Sequence, residues 1–297
     1  MTHRKAVWTL VLATLLWSIA GVVSRFLESA RGFEVTFWRS AFNALALVPL
    51  LAWLKGPAGL GAALRQGGRA LWLSGLCWGV MYTAFMLAMT MTTVANVLVT
   101  MSVGPLITAL LARAALGHRL QPRTWGAIAL AGLGIAWMYG HEVSAGDPRH
   151  LAGMAVALAV PVAAAVNWTL LQHLKSQDNP PDMLAAVLVG ATLSAAVTLP
   201  LALPFAATAH DLSLLALLGV FQLAIPCLLA EAVARVLPGP EMSLLGLLEV
   251  VFGVLWAWLG AGEAPSAAVL GGGLLVLLAL VGNELLGLRT RTVALSG

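Results

Sequence analysis

Ten strongly apolar stretches, each roughly the length that crosses a hydrocarbon core of about 30 Å, fill most of this 297-residue chain. They read as spans over Ala6–Arg25, Phe33–Leu54, Leu71–Met91, Val94–Ala112, Thr124–Tyr139, Leu151–His173, Met183–Leu203, Leu212–Arg235, Glu241–Gly260 and Ala267–Gly287. Hydrophobic residues make up 60% of the chain and charged ones 9%. A soluble surface cannot be made from that composition. The expected fold class is therefore all-α and integral to a membrane. Ten spans divide into two sets of five, and a tandem repeat with an odd number of spans re-enters the bilayer upside down. Two inverted five-helix repeats, 1–140 and 151–288, are the expected organisation, a layout of many secondary transporters.

Lys and Arg are retained on the cytoplasmic side of membrane proteins. With the N-terminus inside, twelve of the sixteen basic residues face the cytoplasm, and only Arg25, Arg31 and Arg149 face outward. Arg39 lies within a span. Both termini are thus expected to be cytoplasmic. The net charge of +4 follows from that bias. A nucleic-acid surface would need basic residues clustered on an extramembrane domain, so no nucleic acid is expected as a partner. His3–Ala20 imitates a secretory signal. Its removal would leave nine spans and destroy the repeat, so it is read as an uncleaved first helix.

Cys77 and Cys227 sit within spans and imply no disulfide framework. No loop has room for a nucleotide-binding domain, and no phosphate-binding G-x-x-x-x-G-K-[ST] is present. A gradient, rather than ATP hydrolysis, must drive any transport. No cofactor or metal is expected. An intramembrane enzyme would need an aspartate pair, a Ser/His pair or metal ligands at depth, and all four Asp (Asp147, Asp178, Asp182, Asp211) read as loop residues.

The halves align around the fourth and ninth spans at an offset of 145, which matches Gly117 to Gly262 and Gly126 to Gly271, with Leu110, Ala112, Leu130 and Leu133 on like residues. The first half carries Gly104-Pro105-Leu106 followed by Leu116-Gly117-His118-Arg119; the second carries Leu248-Glu249-Val250 followed by Gly262-Glu263. Together with Leu16-Trp17-Ser18 and Trp38-Arg39-Ser40, this pattern resembles the drug/metabolite transporter superfamily in its ten-span EamA-type branch. It departs from that branch at His118, where Glu is usual, and at Val250, where Pro is usual. Within the branch the chain is most similar to YddG-type exporters of aromatic amino acids. The resemblance implies a bacterial inner-membrane exporter of small neutral or zwitterionic metabolites working by alternating access. The implied partners are a small-molecule substrate and the bilayer, with the chain a monomer or weak dimer. A permease for other drugs or metabolites, or a lipid flippase, is the alternative.

Residues suited to a cavity follow from their depth and type. Glu249 lies about 12 Å of helical rise into the ninth span, where an ionised carboxylate must be paired, hydrated or protonated. It reads either as a coupling or substrate-ammonium site or as a structural tie. Arg39 reads as a structural anchor able to snorkel outward, or as a contact for a substrate carboxylate. Glu231 and Glu284 lie near helix ends and read as interfacial. Trp78, Tyr82, Phe85 and Met89 follow helical spacing on the third span. Asn96, Thr100 and Gly104 form a polar stripe on the fourth, and Trp17, Ser18, Asn167, Trp168 and Gln222 add aromatic and polar groups. Their bland reading is helix packing. Pro105, Pro161 and Pro226 are expected to break their helices, freeing the carbonyls of Met101, Ala157 and Gln222. Gly104 beside Pro105 permits bending; gating and mere kinking both fit. The glycines at 126, 132, 134 and 271–273 suggest close packing of the fifth and tenth spans, or a dimer surface.

Overall fold

In hydrocarbon no water is present to pair with backbone N–H and C=O groups, so a spanning segment must satisfy them within itself, which makes it helical. The computed structural model describes the chain except for residues 117–121, 146, 176–182, 235, 238 and 297; the described residues form helices and no strand. His118 lies outside them.

The described residues form ten rods. Five are single helices: α1 (His3–Ser24), α3 (Gly68–Met91), α6 (Pro122–Ala145), α9 (Leu184–Ala202) and α12 (Gly239–Ala261). Two overrun their crossing, α2 (Gly32–Gln66) and α13 (Ala267–Ser296). The other three are broken. Span 4 is α4 (Val94–Met101) and α5 (Gly104–Leu116), and span 6 is α7 (Pro148–Ala157) and α8 (Ala159–Lys175). Span 8 joins α10 (Ala209–Leu217) to α11 (Ile225–Ala234) through a π-helical stretch, Leu218–Ala224. By length and apolarity, seven of the rods qualify as membrane spans, with shorter apolar helices at Leu248–Ala261 and Ala267–Asn283.

Several boundaries differ from expectation. The fifth span is longer than its apolar stretch, because Pro122 fits the first helical turn and polar residues continue the helix to Ala145. The second span ends where Gly56 takes φ 74°, after which 57–66 form a further helical segment carrying Arg65. Pro105 and Pro161 do not kink continuous helices. The breaks precede them, at Ser102–Val103 and Leu158, and each proline sits in the first turn of the next helix, where a missing N–H costs nothing. Pro226 follows a register shift instead: the Ile225 N–H reaches back five residues to the Val220 carbonyl. Such π turns accommodate a local insertion in the ladder.

The connections 25–31, 92–93, 203–208 and 262–266 gather at one end, with Asp147 and Arg149 beside them. Arg25 donates to the Met89 and Thr92 carbonyls at 2.6 and 2.9 Å, and pairs with Glu263 at 2.6 Å. Glu263 also accepts from the Val94 N–H. Arg149 donates to the Thr90 carbonyl. Asp211, read as a loop residue, is fully buried in the first turn of α10. Its carboxylate accepts from the backbone N–H groups of Glu28, Ser29, Ala30 and Thr208. Glu34 does the same for Ala206 and Ala207. Every second connection lies at this end, so successive spans alternate in direction.

The packing has an internal symmetry. Span 1 lies on span 9, and span 6 lies on span 4; span 3 lies on span 7, and span 8 on span 2; span 3 lies on span 6, and span 8 on span 1. Each pair becomes its neighbour in that sequence when every span is replaced by the one five places along. The pairs 2–7, 5–10 and 4–9 map onto themselves. Because five is odd, the relation inverts one quintet against the other.

Spans 5 and 10 meet at Gly134 and Gly272, where a Cβ on either would stand 2.6 Å from the other's carbonyl oxygen. The remaining glycines divide: Gly273 faces Val99, while Gly126, Gly132 and Gly271 have open space around them. Gly272→Val is therefore expected to cost about 1–3 kcal/mol through overpacking, read as a lower unfolding midpoint in detergent. Gly132→Val is the matched substitution, made in open space, and should not lower the midpoint.

Candidate functional site

Five spans converge on a buried polar centre. Arg39 enters from α2, about 10 Å of helical rise below its start, and is 1% exposed. It does not snorkel. Its Nε and Nη2 both donate to the Gln222 side-chain oxygen, at 3.1 and 2.7 Å. Its guanidinium carbon lies 5.3 Å from the centre of the Phe85 ring, within cation–π range. Gln222 comes from the π-helical stretch of span 8, and its amide donates to the Trp17 carbonyl of α1 at 3.2 Å. One glutamine thus fixes an arginine and is itself fixed by a third span.

Around this pair stand Tyr82, whose hydroxyl meets the Cys227 sulfur at 3.6 Å, and Glu249 of α12, close enough for its charge to interact with Arg39. Glu249 is partly exposed. Glu231 is buried rather than interfacial, because α11 turns it inward beside Cys227. The side chain of Glu284 lies outside the described residues.

A second cluster adjoins the first through Tyr82. The Trp78 ring lies 5.6 Å from Tyr82 and meets Trp168 of α8 edge to face at 6.1 Å. Behind them Ser74 donates to the Asn167 side-chain oxygen at 2.6 Å. Trp78, Tyr82, Phe85 and Met89 are all buried. Met89 belongs to the loop end, where its carbonyl receives Arg25.

Asn96 and Thr100 are buried on α4, but Asn96 turns its amide to Thr92 at 3.0 Å, away from the two clusters. Ser18 accepts from the Trp256 indole at 3.2 Å and joins α1 to α12. Gly104 and Pro161 face each other, with a Cβ on Gly104 lying 3.5 Å from the proline ring. The breaks in spans 4 and 6 are therefore in contact. Pro226 is buried just past the π turn.

Some groups here were not singled out in the sequence. Ser194 of α9 bonds both Ser40 and Thr83 at 2.8 Å, tying spans 2, 3 and 7 together. Single hydroxyls within apolar runs are the only trace such a knot leaves in a sequence. Asn43 and Cys227 beside Tyr82 belong to the same group. Both cysteines are free.

Several buried polar atoms make no hydrogen bond among the described residues: Arg39 Nη1, Trp78 Nε1, Thr100 Oγ1, Asn167 Nδ2 and Thr169 Oγ1. Native interiors leave few such atoms, and those that remain mark places where water or a ligand supplies the partner. They lie on spans 2, 3, 4 and 6, with others on Trp38 of span 2 and Arg123 of span 5. A cleft of about 290 Å³ opens at the loop end between Arg25, Asp147, His150 and Glu263; none of the expected site residues lines it.

Residues 4–140 match the EamA-like transporter family. That match covers the first five spans, a little under half of the chain. A solved structure titled only "Crystal structure of protein" shares the fold, with TM-score 0.62 and 20% identity, over 96% of this chain and 99% of that one. No curated protein matches.

Removing the Gln222 amide would strand the arginine it holds. Gln222→Leu is expected to cost about 1.5–3 kcal/mol, the range for hydrogen bonds to a charged group. Thermal unfolding of the purified protein in micelles reads it directly.

Proposed function

We propose that this chain is a secondary transporter of small zwitterionic or neutral metabolites, carrying aromatic and other large apolar amino acids outward across a bacterial inner membrane. The observation that supports it most is the polar centre on the seam: a fixed guanidinium, a carboxylate and an aromatic wall beside unpartnered buried donors. A scaffold gains nothing from burying such groups, each of which costs free energy unless something satisfies it. A solute with an ammonium, a carboxylate and a flat apolar side chain satisfies them together.

The working units are the two quintets, 1–140 and 151–288, rocking about the seam so that the centre faces either side in turn. Gly104, Pro105 and Pro161 serve the motion, since they sit where the two broken spans touch, and Pro226 serves it at the π turn of span 8. The straight counterpart pair, α1 and α12, provides the rigid side. Both termini face the cytoplasm on the basic-residue count. A lipid flippase would need a lateral opening toward the hydrocarbon, and no observation favours one.

Glu249 is the group that binds the ammonium or a coupling proton, and Trp78 stacks on the side chain. In proteoliposomes loaded with aromatic amino acids, Glu249→Gln and Trp78→Ala should each slow efflux at least tenfold. Undiminished efflux in both would remove these residues from the site. Counterflow across an amino-acid panel, with and without an imposed pH gradient, separates coupled from downhill transport. Acceleration by the gradient in the parent protein that disappears in Glu249→Gln is the expected outcome for proton coupling through that carboxylate.

A further inference from the structure

Arg39 is a buried cation without an acid. No carboxylate of a described residue lies in ion-pair contact with it; its acceptor is the neutral amide of Gln222, and the ring of Phe85 covers it. The charged and titratable groups facing it are Glu249, Tyr82 and Cys227. A guanidinium held only by neutral groups at membrane depth is costly. Evolution could satisfy it with a Glu at position 222, two bonds' worth of paired charge in the same place. The chain has Gln there instead, and that choice leaves the positive charge uncompensated at contact range.

The geometry of the pair is also specific. Nε and Nη2 form one edge of the planar guanidinium, and both are used by one oxygen of Gln222. Because Gln222 is held in turn by the Trp17 carbonyl, the plane cannot rotate freely about that edge. The remaining group, Nη1, is buried and has no partner. It is thus a charged donor, pre-oriented by two other spans and left open.

We propose that Arg39 is the carboxylate-recognition residue of the transported solute, with Nη1 as the donor, and that Gln222 is a positioning residue whose neutrality keeps the charge available. This rests on the transport reading above and narrows it: the substrates are carboxylates, and a solute lacking that group is discriminated against. Charge-assisted hydrogen bonds from a guanidinium favour carboxylate over a neutral acceptor, while a preset donor adds no ordering cost on binding.

Three probes that share one aromatic ring test it: L-phenylalanine, phenylpropionate, which lacks the ammonium, and phenethylamine, which lacks the carboxylate. Binding to the purified protein is read by calorimetry and transport by counterflow. The parent protein should prefer both carboxylates over the amine by at least tenfold. Arg39→Gln should lose that preference while holding the amine within about threefold. Should Arg39→Gln fail to fold, Gln222→Glu carries the test. It satisfies the guanidinium internally, so the fold is kept, and it should abolish the carboxylate preference in the same way. Equal binding of acid and amine by the parent protein overturns the assignment, as does binding of none of the three. An equal loss for all three probes in a folded variant also overturns it. Transport without carboxylate preference removes this inference and leaves the transporter standing. Selective, Arg39-dependent binding with no transport of any probe does the reverse.

Discussion

A chain in hydrocarbon has no solvent to repair an unpaired backbone group, and the placement of every irregularity in this structure follows from that. Regular helix solves the problem span by span. Inside the bundle, the departures lie where protein covers them. The breaks at Ser102–Val103 and Leu158 are turned toward each other through Gly104 and Pro161, and the π turn at Leu218–Ala224 lies against α2 and α1. Gly219 packs there so closely that a Cβ would stand 2.8 Å from the Arg39 carbonyl. The backbone loosens along the same seam that holds the polar side chains.

This concentrates asymmetry in a symmetric frame. Spans 1 and 9 are counterparts of spans 6 and 4, yet α1 and α12 run unbroken where the other pair is split twice. The unbroken pair is also cross-tied by a side chain, through the Trp256 indole on Ser18. Two pairs with the same contact plan therefore differ in continuity.

The architecture was legible in the sequence because it is written in length. Ten apolar runs and their odd half-count specify the number of crossings and the inversion, with errors only where polar residues prolong a helix, as beyond Tyr139, or where a second helical segment follows, as after Gly56. The site was legible as residue types and not as directions. Spans surrounded by apolar residues on all sides carry no amphipathic signal, so nothing in the pattern said that Arg39 points inward and not toward the headgroups. Gln222 was visible as a polar residue beside a proline, but its hold on Arg39 spans 183 positions and depends on a π turn that has no sequence signature. The Ser40–Ser194–Thr83 knot was invisible for the same reason. Each hydroxyl alone could as well have bonded its own helix, as Thr198 does to the Ser194 carbonyl.

The loop end shows how the two quintets are joined, and the joints are of two kinds. On one side Asp211 and Glu34 fasten connections 203–208 and 25–31 together through backbone N–H groups, and both carboxylates are buried. Charged acceptors saturated by backbone donors are among the stronger polar contacts a protein makes. Each also leaves several orphaned N–H groups if it lets go. On the other side Arg25 and Glu263 retain 27% and 20% of their side-chain exposure. That pair is not isolated: Arg25 also donates to the Met89 and Thr92 carbonyls and Glu263 accepts from the Val94 N–H, so opening it breaks a network and not one surface contact. The same end of the molecule thus carries two joints, one of buried carboxylates on backbone donors and one built around a partly exposed ion pair. Each ties the first five spans to the last five through charged groups, so the two sets are fastened to one another on both sides of this end.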